Sequence, residues 1–157
     1  MEKGINKTLI GVIGAGECDD AALQRAYHLG RLIARSGYGL VNGGLGGVME
    51  ASARGCRAEA GLTVGILPGI DPLEANASVD IAIPTGLGEI RNLMIVRASS
   101  ALIAIGGEYG TLSEIALGLK AEKPVIGLRT WDIRGVRAAG TPEEALSMAI
   151  KAIGREG

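Results

Sequence analysis

The chain of 157 residues carries a net charge of −1, with 47% hydrophobic and 21% charged residues, enough for one domain with a buried core. Aromatic residues make up only 3%, with no Phe, which leaves no set of platforms for stacking bases. The near-neutral balance supplies no basic field for a polyanion, so nucleic acid is not an expected partner.

Short apolar runs alternate with longer helical stretches, the pattern of a parallel α/β sheet. The first strand is Leu9–Ile13, leaving through Gly14-Ala15-Gly16. Asp19 or Asp20 then caps a helix reaching to about Ser36, with Leu23, Tyr27, Leu29, Gly30 and Ile33 at helical spacing. A strand over 39–42, a helix over about 47–60 and a strand over 62–67 come next, the last stopped by Pro68-Gly69. Turn formers from Pro68 to Ser78 read as a loop, in the manner of a mobile flap. The fourth strand, Val79–Ile83, exits through Pro84–Gly88 into a helix holding Arg91, Met94, Ile95 and Arg97. Strand 101–105, helix 111–121 and strand 124–128 follow. A final helix opens with Thr141 as cap, Pro142 at its first position and Glu144 three residues after the cap. The expected architecture is a single Rossmann-like domain over 1–157, a three-layer α/β sandwich around a mainly parallel sheet of six to seven strands.

Two glycine loops carry the functional signal. Gly43-Gly44-Leu45-Gly46-Gly47 and Gly106-Gly107-Glu108-Tyr109-Gly110 each join a strand to a helix, and they align without gaps. Glycine admits a ligand to the backbone, and helix N-terminal N–H groups point at it, which makes such loops anion sites. In open α/β sheets the strand exits gather at the carboxyl edge. Exits 14–16, 43–47, 85–88 and 106–110 are therefore expected to ring one crevice. The first exit lacks the third glycine of a dinucleotide fingerprint, and Glu17, Asp19 and Asp20 would repel a pyrophosphate. Loop 43–47, nearly all glycine and free of acid, is the stronger phosphate cradle. Loop 106–110 continues as Thr111-Leu112-Ser113-Glu114, which reads either as a capping box or as a carboxylate presented to a ligand. Arg91, in the first turn after Gly88, can offer a guanidinium fork to phosphate.

Cys18 and Cys56 fit no metal spacing and His28 is the one histidine, so no metal is expected. There is no signal peptide and no apolar run long enough for a bilayer, which places the chain in the cytoplasm with no membrane partner. The nearly continuous apolar run Leu93–Val96 points to a homodimer or a higher homo-oligomer.

Over residues 8–128 the chain resembles the LOG-like (SLOG) superfamily of Rossmann-type proteins, which includes cytokinin-activating phosphoribohydrolases and molybdenum cofactor carrier proteins. The GGxxGxM loop is matched by Gly43, Gly44, Gly47 and Met49. The following G-x-V-x-G-I-x-P strand is matched by Gly61, Val64, Gly65, Ile66 and Pro68. Arg91 matches the arginine of the MxxRK motif, and Gly107, Gly110, Thr111 and Glu114 match PGGxGTxxE. Gly88 and Asn92 stand where the phosphoribohydrolases have Met and Lys, and Glu108 replaces a glycine. The chain thus looks closer to the molybdenum cofactor carrier-like and uncharacterised bacterial branch.

The expected function is binding of a phosphorylated small molecule, a nucleotide or a pterin-type cofactor such as the molybdenum cofactor, with no cofactor required for the fold. The ligand-binding set is Gly14, Gly16, Gly43, Gly44, Gly46, Gly47, Arg91, Asn92, Gly107, Gly110, Thr111 and Glu114. The alternative is a nucleoside 5′-monophosphate phosphoribohydrolase, with Arg91 and Glu114 as catalytic residues. Glu114 would there stabilise oxocarbenium character at the ribose.

Overall fold

The computed structural model describes residues 8–155, with the Arg155 side chain excepted. Seven strands form one sheet: β1 (Leu9–Gly14), β2 (Gly39–Asn42), β3 (Thr63–Leu67), β4 (Ile81–Pro84), β5 (Ala101–Ile105), β6 (Val125–Leu128) and β7 (Arg137–Ala138). Five helices flank it: α1 (Asp20–Arg35), α2 (Val48–Ala58), α3 (Asn92–Ala98), α4 (Tyr109–Lys120) and α5 (Pro142–Arg155). The strand order is β4-β3-β2-β1-β5-β6-β7, and every pairing is parallel. This is a Rossmann-like α/β sandwich. The chain winds outward from β1 through β4, then returns to β1's other side with β5. The strand order therefore reverses between β1 and β5, where their carboxyl ends open a crevice.

Apolar residues fill both faces of the sheet. One layer packs Ile10, Val12, Leu40 and Ile103 against Leu29 and Ile33 of α1, Val48 of α2 and Ala145 and Ala149 of α5. The other packs Ile13, Val41, Val64, Ile66 and Leu102 against Ile95 and Val96 of α3 and Ile115 of α4. Because both faces are covered, β2, β3, β5 and β6 are buried at every position, so these strands show no alternation. Helices α1 and α2 touch backbone to backbone: a Cβ on Gly30 would stand 2.0 Å from the Ser52 carbonyl oxygen, and one on Gly55 1.9 Å from that of Tyr27.

Most expected boundaries move by one or two residues, and three differences have a physical cause. Helix α4 begins at Tyr109, with Glu108 as its cap residue, so Thr111 lies inside the helix and no capping box forms with Glu114. The loop after β3 is tied down rather than free as a flap: the Asn76 side-chain amide donates to the carbonyls of Gly44 (3.2 Å) and Leu45 (2.8 Å), and a short 3₁₀ turn forms at Pro72–Glu74. Strand β7 has only two residues, both exposed, too short for a hydrophobic pattern. At α1, Asp19 caps as expected, accepting from Ala22 N at 2.8 Å. At α5, Thr141 Oγ1 accepts from Glu144 N at 3.1 Å, while the Glu144 carboxylate reaches back to Gly140 N at 2.8 Å.

Candidate functional site at the β1–β5 crevice

The crevice has a volume of about 540 Å³, within the range of small-ligand sites. Its floor is the β1 exit, Gly14-Ala15-Gly16-Glu17, and one wall is the first turn of α4 with Glu108, Gly110, Thr111 and Glu114. The opposite wall is the start of α3 and the 3₁₀ turn leading into it, with Glu89, Arg91 and Asn92, and Met49 of α2 completes the lining. Of the expected binding set, Gly14, Gly16, Arg91, Asn92, Gly110, Thr111 and Glu114 are brought together here.

Gly43, Gly44, Gly46, Gly47 and Gly107 stand outside this lining. Gly44 is buried, and its N–H already donates to Asn42 Oδ1 at 2.8 Å. Gly47, at φ 64°, turns the chain into α2 so closely beneath the first exit that a Cβ would meet the Ala15 carbonyl oxygen at 2.3 Å. The N–H of Val48, at the start of α2, donates to that same carbonyl. Much of the glycine in 43–47 thus serves close packing beneath the crevice. Asn42 is fully buried. Its amide nitrogen donates to the Met49 carbonyl (2.8 Å) and the Ser52 hydroxyl (3.2 Å), while its oxygen accepts from Gly44.

Arg91 is only 9% exposed, and its guanidinium fills the space beside Gly43, where an added Cβ would stand 2.2 Å from Nη1. Its Nε is buried without a hydrogen-bond partner. Burial lowers its pKa, opposed by the charges of Glu114 and Glu89. Glu114, 8% exposed, faces Arg91 electrostatically, yet no ion pair joins them; among the described residues the ion pairs are His28–Glu143, Arg31–Glu59 and Arg35–Glu59. Burial raises the Glu114 pKa to about 8, with Arg91 pulling the other way. At neutral pH this side chain is a carboxylic acid, a donor as well as an acceptor. Asn92 donates to Ser113 Oγ (3.1 Å), which donates to the Gly110 carbonyl (2.7 Å), so α3 and the first turn of α4 hold each other.

Two features escaped the sequence reading. Glu89 joins Glu17 and Glu108 in an acidic rim, since its place on a 3₁₀ turn gives no periodic signal. Tyr109, 78% exposed beside the crevice, stacks on Trp131 with ring centroids 6.2 Å apart, although the two are far apart in sequence. Cys18 lies partly buried nearby, where burial and the Asp19 charge raise its pKa and keep it a thiol. Among the described residues no cluster of His, Cys, Asp and Glu could hold a metal ion, and no helix is long and apolar enough to cross a membrane.

A parallel sheet with a glycine exit, a buried arginine and a helix N-terminus at its switch point gives a Rossmann-like fold with a candidate small-ligand crevice. The model of the SLOG cluster4 family matches residues 7–152, and the chain belongs to that family. An uncharacterized protein of Archaeoglobus fulgidus is 53% identical over 142 residues, covering 90% of this chain and 93% of its own length. The solved molybdenum cofactor binding protein of the phototrophic bacterium Rippkaea orientalis is 42% identical with a TM-score of 0.89, covering 96% of this chain and 99% of that one. The molybdenum cofactor carrier protein of Chlamydomonas reinhardtii is 36% identical with a TM-score of 0.87, again over 96% and 99%.

These matches correct the expectation of an N-glycosidic hydrolase. These two structures, each aligned over 96% of the chain, are described as a cofactor binding protein and a cofactor carrier protein, not as hydrolases of glycosidic bonds.

Proposed function

We propose that the protein binds a phosphorylated, cofactor-like small molecule in the β1–β5 crevice and holds it without chemical change, in the manner of a carrier. Two ligand classes fit, a pterin-type molybdenum cofactor and a nucleotide, and the similarity to the Rippkaea orientalis and Chlamydomonas reinhardtii proteins favours the first. The observation that carries the reading is the buried cation Arg91 in the crevice lining, which has no ion-pair partner among the described residues. A desolvated cation without a partner charge is costly unless an anion completes it.

In this reading Gly14 and Gly16 admit the ligand to the backbone, and the first-turn N–H groups of α4 at Gly110 and Thr111, which have no intrahelical acceptor, face its phosphate. Arg91 supplies the charge. Glu114, protonated, donates to a ligand oxygen, and Asn92 fixes the wall. Gly43, Gly47 and Gly107 act from behind by letting Arg91 and the starts of α2 and α4 approach. The acidic rim of Glu17, Glu89 and Glu108 favours one phosphate over a di- or triphosphate by like-charge repulsion. The low aromatic content and near-neutral charge suit a small molecule rather than a nucleic acid, acting in the cytoplasm.

Mass spectrometry of small molecules released from the purified, denatured protein tests this. A stoichiometric phosphorylated pterin or nucleotide is expected. An empty protein that also gives no thermal shift with either class contradicts the reading.

A further inference from the structure

Tyr109 opens helix α4 between two residues of the crevice wall, Glu108 and Gly110, and it is exposed. The other aromatic side chains, Tyr27, Tyr38 and Trp131, are all partly buried. The Tyr109 ring is nevertheless held. It stacks on Trp131 with the two planes inclined by 30° and the centroids within the range of an attractive aromatic pair. Trp131 in turn packs against the core layer shared by α3 and α4. Fixing a side chain costs conformational entropy, and this ring gains little burial in return.

The turn that presents Trp131 has an uncommon shape. Among the described residues, Ala60, Glu122 and Arg129 are the non-glycine positions with a positive φ, at 57°, 58° and 52°. The first two end helices α2 and α4, where the next N–H returns to the last turn: Gly61 to the Cys56 carbonyl and Lys123 to that of Gly118. Arg129 has no helix to end. It follows strand β6 directly, and an L side chain adopts this conformation only at a cost that the surroundings must offset. Two bonds to one glycine hold it there. The Gly106 N–H donates to the Leu128 carbonyl at 3.3 Å, and the Thr130 hydroxyl donates to the Gly106 carbonyl at 2.6 Å. The exit of β5 thus fixes the turn that sets Trp131 against Tyr109. The same stretch is open above: a Cβ added at Gly106 or Gly110 meets no other segment within 4 Å.

We infer that Tyr109 is a stacking platform for a planar heteroaromatic ring of the crevice ligand, with Trp131 holding the platform in place. The inference rests on the carrier function proposed above and narrows its ligand class. With the phosphate at Arg91 and the first turn of α4, the ring extends past the open glycines onto Tyr109. Tyr109 directly precedes Gly110, with Cα atoms about 3.8 Å apart, so the ring must lie within a few bonds of the phosphate. A phosphorylated pterin or a mononucleotide meets that requirement, and a sugar phosphate without a flat ring does not. Stacking reads a π-face rather than a hydrogen-bond pattern, so Tyr109 selects for flatness and leaves the choice of heterocycle to the polar groups. One platform serves one ring, which suits a small molecule and not a strand of nucleic acid.

Calorimetric titration of the full chain with molybdenum cofactor, guanosine monophosphate and ribose 5-phosphate separates the ring from the phosphate. The wild type is expected to bind a ring-bearing probe about tenfold or more tightly than ribose 5-phosphate. Tyr109→Ala is expected to lose about tenfold in affinity for that probe and to leave ribose 5-phosphate unchanged, while Tyr109→Phe keeps wild-type affinity. Circular dichroism checks that both variants fold, as an exposed side chain at a helix start allows. Equal wild-type affinity for all three probes overturns the inference and leaves the carrier function standing. So does a Tyr109→Ala variant that binds the ring-bearing probe like wild type, an equal loss for ribose 5-phosphate, or a Tyr109→Phe variant as weak as the alanine. A wild type that binds none of the three overturns both.

Discussion

The Arg91 guanidinium occupies the space that any side chain at Gly43 would claim, with Nη1 2.2 Å from an added Cβ. The glycine-rich loop and the crevice arginine are therefore one device, although neither sequence position announces the other. Gly43 keeps an ordinary negative φ, since it is absent from the positive-φ glycines, so alanine is conformationally allowed there. Gly43→Ala is expected to push the guanidinium off its place and weaken binding of a phosphorylated pterin or nucleotide at least tenfold, about 1.4 kcal/mol. Calorimetric titration reads the affinity, and a thermal melt should show a small change, because a flexible side-chain end can give way.

Gly55→Ala provides the contrast. There the new methyl meets the Tyr27 carbonyl oxygen at 1.9 Å, and backbone cannot swing aside. Overpacking of this kind costs about 1–3 kcal/mol, which for a chain of this size lowers the melting temperature by roughly 2–4 °C per kcal/mol. Denaturant unfolding should show the loss with ligand affinity preserved in the folded fraction.

Asn42→Asp removes a donor that nothing else replaces. The new carboxylate would set an acceptor against the Met49 carbonyl oxygen, now 2.8 Å from the amide nitrogen, in a fully buried position. A destabilisation of about 2–4 kcal/mol is expected from the orphaned polar groups. Urea unfolding at neutral pH would show it, and lowering the pH to protonate the acid should recover part of the loss.

Glu114 sets a pH dependence whose sign follows from its raised pKa. The native state holds the proton more tightly than the unfolded chain, so the group's contribution is fully present below the ordinary value of 4.5 and is lost as pH rises through about 8. Wild-type stability should therefore fall across that window relative to Glu114→Gln, on the order of 1.4 kcal/mol per unit of pKa difference. Anion binding should weaken over the upper part of the same window, as the acid becomes a second negative charge beside the phosphate. A variant that tracks the wild type at every pH would contradict this assignment.

Much of the fold was legible because buried parallel strands are apolar runs and their exits are glycines. Arg91 and Glu114 could also be singled out, one by its turn position and the other by its distance from the glycine loop. What the sequence could not show was depth. Thr111-x-x-Glu114 has the spacing of a capping box, and only the start of α4 at Tyr109 turns Glu114 inward to become a buried acid. Likewise, loop 43–47 looks like the better phosphate cradle in one dimension, yet Asn42 takes the Gly44 N–H and Arg91 fills the space over Gly43. Contacts between distant segments, such as Tyr109 on Trp131, leave no trace in local spacing.

The central claim is that Arg91 in the β1–β5 crevice holds the phosphate of a cofactor-like ligand. Titration of wild type and Arg91→Gln with molybdenum cofactor and with a nucleoside monophosphate tests it most directly, with the fluorescence of the single tryptophan, Trp131, as a second readout. Saturable one-to-one binding by the wild type, reduced at least tenfold in a folded Arg91→Gln variant, is the predicted result. Equal affinity in the two proteins, or no binding by the wild type, would contradict it.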